Sequence, residues 1–162
     1  MTIIAGAELA ELFRGAFRAY PTGVAVITAR GPAGPVGLTA SSVASVSVAP
    51  PALSFSVMDS PSALVIAAAP SLVVNLLGAG HAALAADFAR AGGPRFTADQ
   101  GWETLPTGEP VLAGAAAALR CEPLHRVPVG ASTLVVAQVT EVWPGPPGPA
   151  LIHHERRFTA TT

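Results

Sequence analysis

Residues 37–57 read GLTASSVASVSVAPPALSFSV, and the division of this run decides the fold. It is rich in β-branched and small residues, and Pro50-Pro51 interrupts it. It therefore reads as β-strand on both sides of a proline turn. VGLTASSVASVSV (residues 36–48) is either one long strand or two joined by a bend, and ALSFSVM (52–58) is the next. Thr39, Ser41 and Ser42 place three hydroxyls within four positions of a run otherwise suited to burial. A hydroxyl taken out of water needs a partner, which is backbone, water or a ligand.

The flanking sequence extends the same pattern. Upstream, Leu9, Leu12, Phe13, Ala16, Phe17 and Tyr20 recur at helical spacing, so an amphipathic helix ends at Pro21-Thr22-Gly23. GVAVITA (23–29) is a short β-branched strand, and RGPAGP is a turn. Downstream, Ser60 suits an N-cap and Pro61 the first helical position, with Pro70 ending that helix. SLVVNLL (71–77) reads as a buried strand and GHAALAADFARA (80–91) as a second amphipathic helix. GGPRFTADQGWETLPTGEP is a polar loop. VLAGAAAALRCEPL, STLVVAQVTEVW and ALIHHERRF are three further strands. Neighbouring strands linked by turns, with few helices between, indicate an antiparallel barrel or sandwich rather than a doubly wound sheet.

The 162 residues suit one domain spanning 1–162. Apolar residues make up 51% and charged residues 12%, the opposite of a disordered chain. A formal net charge of −1 without a basic stripe argues against nucleic-acid binding. So few charges leave little to cover an isolated domain, which points to an oligomer with a large apolar interface. The start of the chain carries neither a secretory nor an import pattern, and no apolar run reaches membrane-spanning length. A cytoplasmic protein is expected.

Cys121 is the lone cysteine and reads as a core residue. There is no nucleophile elbow and no glycine-rich phosphate loop. His81, His125, His153 and His154 are dispersed, and adjacent histidines on a strand face opposite ways, so no metal site is expected. The remaining polar candidates are Thr39, Ser41 and Ser42; Ser60 and Ser62 at a helix start; and Asn75 inside VVNLL. Hydroxyls and strand N–H groups suit a flat heterocycle, and a helix N-terminus suits a phosphate. Together they fit a flavin mononucleotide, although each alone is more often a strand hydroxyl, a cap or a backbone-satisfying amide.

In order along the chain, FRAYPTGVAVITA, GLTASSVASVSVAPPALSFSV, VNLLGAGHAALAADFA, Arg95-Phe96, GEPVLAGAAAALRCE and LIHHERRF resemble the short flavin reductase family, the reductase components of two-component flavin monooxygenases. The resemblance implies a mainly β fold, a split β-barrel of Greek-key type with a few peripheral helices. It implies a homodimer that binds FMN or FAD and reduces it with NADH or NADPH for a separate oxygenase. Thr39, Ala40, Ser41 and Ser42 would line the flavin, Ser60 and Ser62 its phosphate, and Asn75, Leu76, Arg95 and Phe96 the same region. Two departures stand out. Ser132 occupies the place of a histidine that the family often carries near the nicotinamide, and His153-His154 replace aromatic residues near the end. His153 or His154, with Arg156, are therefore the candidates for the nicotinamide side. In a regular strand Arg156 shares a face with His154, which favours His154; a bulge would reverse the choice. The alternative is a flavin-binding or carrier protein without efficient NAD(P)H oxidation.

Overall fold

The computed structural model describes residues 5–162; the expectation about a leader involves residues 1–4 and lies outside them. Helix α1 (Gly6–Arg18) precedes a short strand β1 (Thr22–Gly23) and strands β2 (Ala25–Gly31), β3 (Gly34–Ala40), β4 (Ala44–Val48) and β5 (Pro51–Met58). Then come α2 (Pro61–Ala68), β6 (Leu72–Leu76), α3 (Ala82–Ala89), β7 (Trp102–Thr104), β8 (Pro110–Leu112), β9 (Ala117–Val129), β10 (Ser132–Pro144), β11 (Leu151–His154) and β12 (Arg157–Ala160). Seven strands form one curled sheet in the order β3-β2-β6-β9-β10-β5-β4, every adjacent pair antiparallel. This is a split β-barrel.

The opening stretch is two strands, not one. β3 and β4 are consecutive in the chain yet form the two opposite edges of the sheet. Residues 41–43 carry the chain across the split. Ser42 falls in register with Ser56, two steps beyond the Ala44–Ser54 pair. There its side chain does the work of a strand backbone: its Oγ accepts from Ser56 N at 2.9 Å and donates to Ser56 O at 3.1 Å.

The barrel interior holds Ile27, Phe55, Ile66, Leu72, Val74 and Val135, all fully buried. A second cluster joins Val26, Leu84, Phe88 and Leu151 outside the sheet. Gly37 is required where the two layers meet, because a Cβ there would lie 2.7 Å from the Phe88 ring. Asn75 is buried and fully engaged: Nδ2 donates to Val26 O and Thr28 Oγ1, and Oδ1 accepts from Leu112 N. With Thr28 Oγ1 donating to Pro110 O, it ties β8 to the barrel.

Three further assignments change. The expected polar loop 92–110 carries β7, which pairs with β8. The segment 111–124 is broken: β8 ends at Leu112, and β9 continues to Val129 through Pro123 and Pro128. The β9–β10 register shifts between Val136 and Ala137, so a bulge accommodates Pro123. ALIHHERRF is a hairpin. His154 pairs with Arg157, and Glu155 and Arg156 form the two-residue turn with φ of 49° and 63°. No helix among the described residues is long and apolar enough to cross a membrane.

Glu109 is 1% exposed and meets Arg120 Nε at 3.0 Å. Burial alone would raise its carboxyl. The Ser71 and Thr107 hydroxyls, its own backbone N–H and the Arg120 charge outweigh burial and hold it below the ordinary carboxylate value. A lowered folded value means that the contribution is present above the unfolded value of about 4.3 and is lost as pH falls through the folded value. Glu109→Gln leaves Arg120 without its buried counter-charge and should cost about 3 kcal/mol at neutral pH. Denaturant titrations from neutral pH to pH 3 should show the wild-type advantage shrinking with acid; an equal gap throughout contradicts the assignment.

Candidate functional site

Two open grooves meet along Ser41, Ser42 and Ser56, the residues at the seam of the split. The first, of about 670 Å³, is walled by residues 38–42 leaving β3, by Val57–Ser62 and by the end of α3 with Arg95. The second, of about 880 Å³, lies between the outer half of α1, Tyr20–Gly23, and His153 with Arg156.

In the first groove the hydroxyls divide into engaged and free. Thr39 Oγ1 donates to Ala85 O at 2.6 Å, pinning α3 to β3. Ser42 spends its proton on the seam. Ser60 Oγ accepts from Ala63 N at 3.1 Å as the N-cap of α2, and Leu64 N takes Ser60 O. A hydroxyl has one proton, so Thr39 and Ser42 can offer a ligand only lone pairs. This corrects the expectation that a ligand is the partner of all three hydroxyls: the protein satisfies two of them. Ser41 and Ser62 make no side-chain hydrogen bond among the described residues. With Pro61 lacking an N–H and Ala63 capped, Ser62 also carries the open backbone donor of the helix start.

Arg95 closes the far wall. Its Nη2 donates to Phe88 O and Arg90 O at 3.1 and 3.2 Å, satisfying carbonyls at the end of α3. The guanidinium carbon lies 5.7 Å from the centre of the Phe88 ring, and the buried Nε has no partner. Free hydroxyls at Ser41 and Ser62, with the Arg95 guanidinium in the wall, surround a groove floored by small residues. That set fits an anionic, acceptor-rich ligand such as a flavin with its phosphate.

The second groove is more aromatic and more basic. Phe13 and Phe17 lie 4.8 Å apart with their rings tilted, and Phe17 meets Tyr20 edge-on at 6.3 Å. Arg14 pairs with Glu11, whereas Arg18 and Arg156 have no ion-pair partner among the described residues. The buried Thr22 Oγ1, on the groove wall, is also unpartnered. His153 faces this groove with its ring 5.4 Å from Phe158.

Of the residues singled out from sequence, Thr39, Ala40, Ser41, Ser42, Ser60, Ser62 and Arg95 line the first groove, and His153 and Arg156 line the second. The preference for His154 is corrected. The tight turn at Glu155-Arg156 removes Arg156 from the strand alternation, so Arg156 shares its groove with His153. His154 instead reaches back to Ala19 O at 3.2 Å. Asn75 and Leu76 lie on β6 outside both grooves, and both Asn75 amide protons are spent within the protein, on Val26 O and Thr28 Oγ1. Phe96 packs against Phe88 and Trp102, each at 5.1 Å, in the outer cluster. Ser132 opens β10 opposite Met58, beside the first groove but not on its lining. Cys121 is a core thiol: burial, partly offset by the Arg120 charge, pushes it up to about 12.

Sequence reasoning missed Phe13, Arg14, Phe17, Arg18, Tyr20, Thr22 and Ser56. The aromatic face of α1 was legible, but helical spacing does not say what that face covers. None of the α1 residues is buried, and its aromatic side chains stand open on the groove.

A curled seven-stranded sheet whose open seam carries paired grooves, one rich in anion donors and one aromatic and basic, defines a nucleotide-binding split barrel. Residues 17–162 match the family model described as flavin reductase like domain, and the chain belongs to that family. An NADH:FMN oxidoreductase of Rhodococcus qingshengii is 44% identical over 131 residues, covering 80% of this chain and 68% of that protein. The crystal structure of a flavin reductase domain protein from Arthrobacter sp. FB24 superposes with a TM-score of 0.88 at 33% identity, over 94% of this chain and 96% of that one. The styrene monooxygenase flavin reductase of Pseudomonas putida S12 superposes at 0.81 with 28% identity, over 93% and 97%.

Ser42→Ala removes both seam bonds at once and leaves Ser56 N–H and C=O to water. A loss of about 1 kcal/mol is expected, because the site is exposed. Chemical denaturation measures it. A variant as stable as wild type would show that the seam is held without this hydroxyl.

Proposed function

We propose that the protein is an NADH-dependent flavin reductase that reduces FMN or FAD in the cytoplasm and releases it to a separate oxygenase. The observation that carries this reading is the meeting of the two grooves at Ser41, Ser42 and Ser56. An electron donor and an acceptor placed in them would be neighbours. The similar proteins support it, one named NADH:FMN oxidoreductase and another the flavin reductase of a monooxygenase.

In this reading the first groove holds the flavin. Ser62, through its hydroxyl and open N–H, and the Arg95 guanidinium would receive the phosphate. Ser41 would donate to the ring edge, with Thr39 and Ser42 present as acceptors. Bound flavin supplies the two-electron acceptor for a nicotinamide hydride. The second groove orients the nicotinamide nucleotide: Arg18 and Arg156 meet its pyrophosphate, and His153, Phe17 and Tyr20 offer flat faces to its rings. No side-chain nucleophile is needed, since positioning is what the protein contributes.

A second copy of the chain is the proposed cover for the exposed apolar surface. Leu134 stands opposite Val127, and Ser132 lies between Val129 and Met58, so one sheet face carries Leu134, Val127, Val129 and Met58 together. Val129 is 65% and Met58 75% exposed. This face adjoins Ser56 and the seam, so a homodimer docked there would roof the grooves.

The test separates the two sides of the site. Ser41→Val combined with Ser62→Ala should weaken FMN binding, read by fluorescence quenching, about tenfold. Arg156→Asn, an amide that tolerates the left-handed turn, should leave FMN binding unchanged and raise KM for NADH about tenfold. Wild-type protein that binds FMN without oxidising NADH would favour the carrier alternative. For the dimer, sedimentation at micromolar concentration should give twice the chain mass, and Leu134→Glu should shift it towards one chain; a wild-type monomer would reject the proposed cover.

A further inference from the structure

We infer that His154 is a positioning residue that holds the end of α1 over the second groove and so sets the affinity for the nicotinamide nucleotide; this rests on the reading of that groove given above. Helix α1 buries no residue, so core packing does not fix its placement. Its C-terminal end is fastened by the β11–β12 hairpin. Glu155 N donates to Arg18 O at 3.0 Å, and His154 Nε2 meets Ala19 O at 3.2 Å. Just beyond, Thr22 and Gly23 pair with His153 and Ile152. Helix ends leave carbonyls unsatisfied, and a histidine donor there is favourable.

Consecutive residues of the hairpin thus have separate tasks. His153 and Arg156 line the groove; His154 and the Glu155 amide reach to its opposite wall. Phe17, Arg18 and Tyr20, which line that wall, flank the two carbonyls that are held. A carbonyl only accepts, so His154 presents Nε2–H, which both the neutral tautomer and the imidazolium possess. The fastening therefore does not depend on the histidine's charge, and a neutral donor of the same reach can replace it. Glutamine qualifies: its Nε2 is the same number of bonds from the backbone.

The experiment compares H154A, H154Q and R156N in the full-length protein. H154A should raise KM for NADH about fivefold with kcat and FMN affinity within about twofold of wild type, and H154Q should restore KM. Hydrogen exchange should show faster amides in the last turn of α1 for H154A, and wild-type rates for H154Q. Unchanged α1 exchange in H154A, or an H154Q variant as impaired as H154A, overturns the inference. Faster exchange with unchanged KM also overturns it, and if R156N still raises KM the nicotinamide reading survives alone. If R156N leaves KM unchanged as well, that reading of the groove has failed, and the inference falls with it.

Discussion

The barrel is open between β3 and β4, and the Ser42 hydroxyl holds that opening in register. A sheet edge presents unpaired backbone groups, and most proteins cover or charge them. Here the chain leaves one edge at Ala40 and joins the other at Ala44. In the three residues between, a side chain supplies the donor and acceptor that a strand would have supplied. The backbone of residues 41–43 is thereby released from ladder pairing while staying against β5. Both grooves open from this released segment. A regular strand running from 36 to 48 would have no such place, because residues 41–43 would then be held in a ladder.

Around the seam, the floor of the first groove is fixed by contacts that tolerate little change. Thr39 clasps α3, Gly37 lets the Phe88 ring approach β3, and Arg95 closes the end of α3. The second groove is built differently. Its walls are an unburied helix and a hairpin turn, joined through carbonyl contacts at Arg18 and Ala19. The first groove thus rests on contacts made within the fold, and the second on contacts between surface elements.

Much of the fold was legible because it depends on short-range chemistry. β-branched runs marked β2 and β6, the proline turn at Pro50-Pro51 marked the start of β5, and Ser60-Pro61 marked the start of α2 down to its capping bond. The resemblance carried by Thr39–Ser42 and the co-linear segments gave the barrel. What was not legible depends on where elements meet. Alternation cannot reveal that β3 and β4 lie at opposite edges, since both halves look like strand. The spacing of His154 and Arg156 suggested a shared face, but two left-handed residues put Arg156 on the other side. Asn75 looked like a ligand contact because a polar residue in an apolar strand demands partners; those partners are Val26, Thr28 and Leu112, brought together by folding. The α1 aromatics mark the apolar face of an amphipathic helix, and only the three-dimensional structure shows that this face lines a groove.

The residues shared by both grooves are three serines, the smallest side chains that still carry a polar atom. A ridge of that height is a threshold rather than a partition. Planar molecules resting on either side would touch over it, and a leucine or phenylalanine in the same place would stand as a wall between them. The width of a one-carbon side chain at the seam thus decides whether the protein has two separate chambers or one continuous hall.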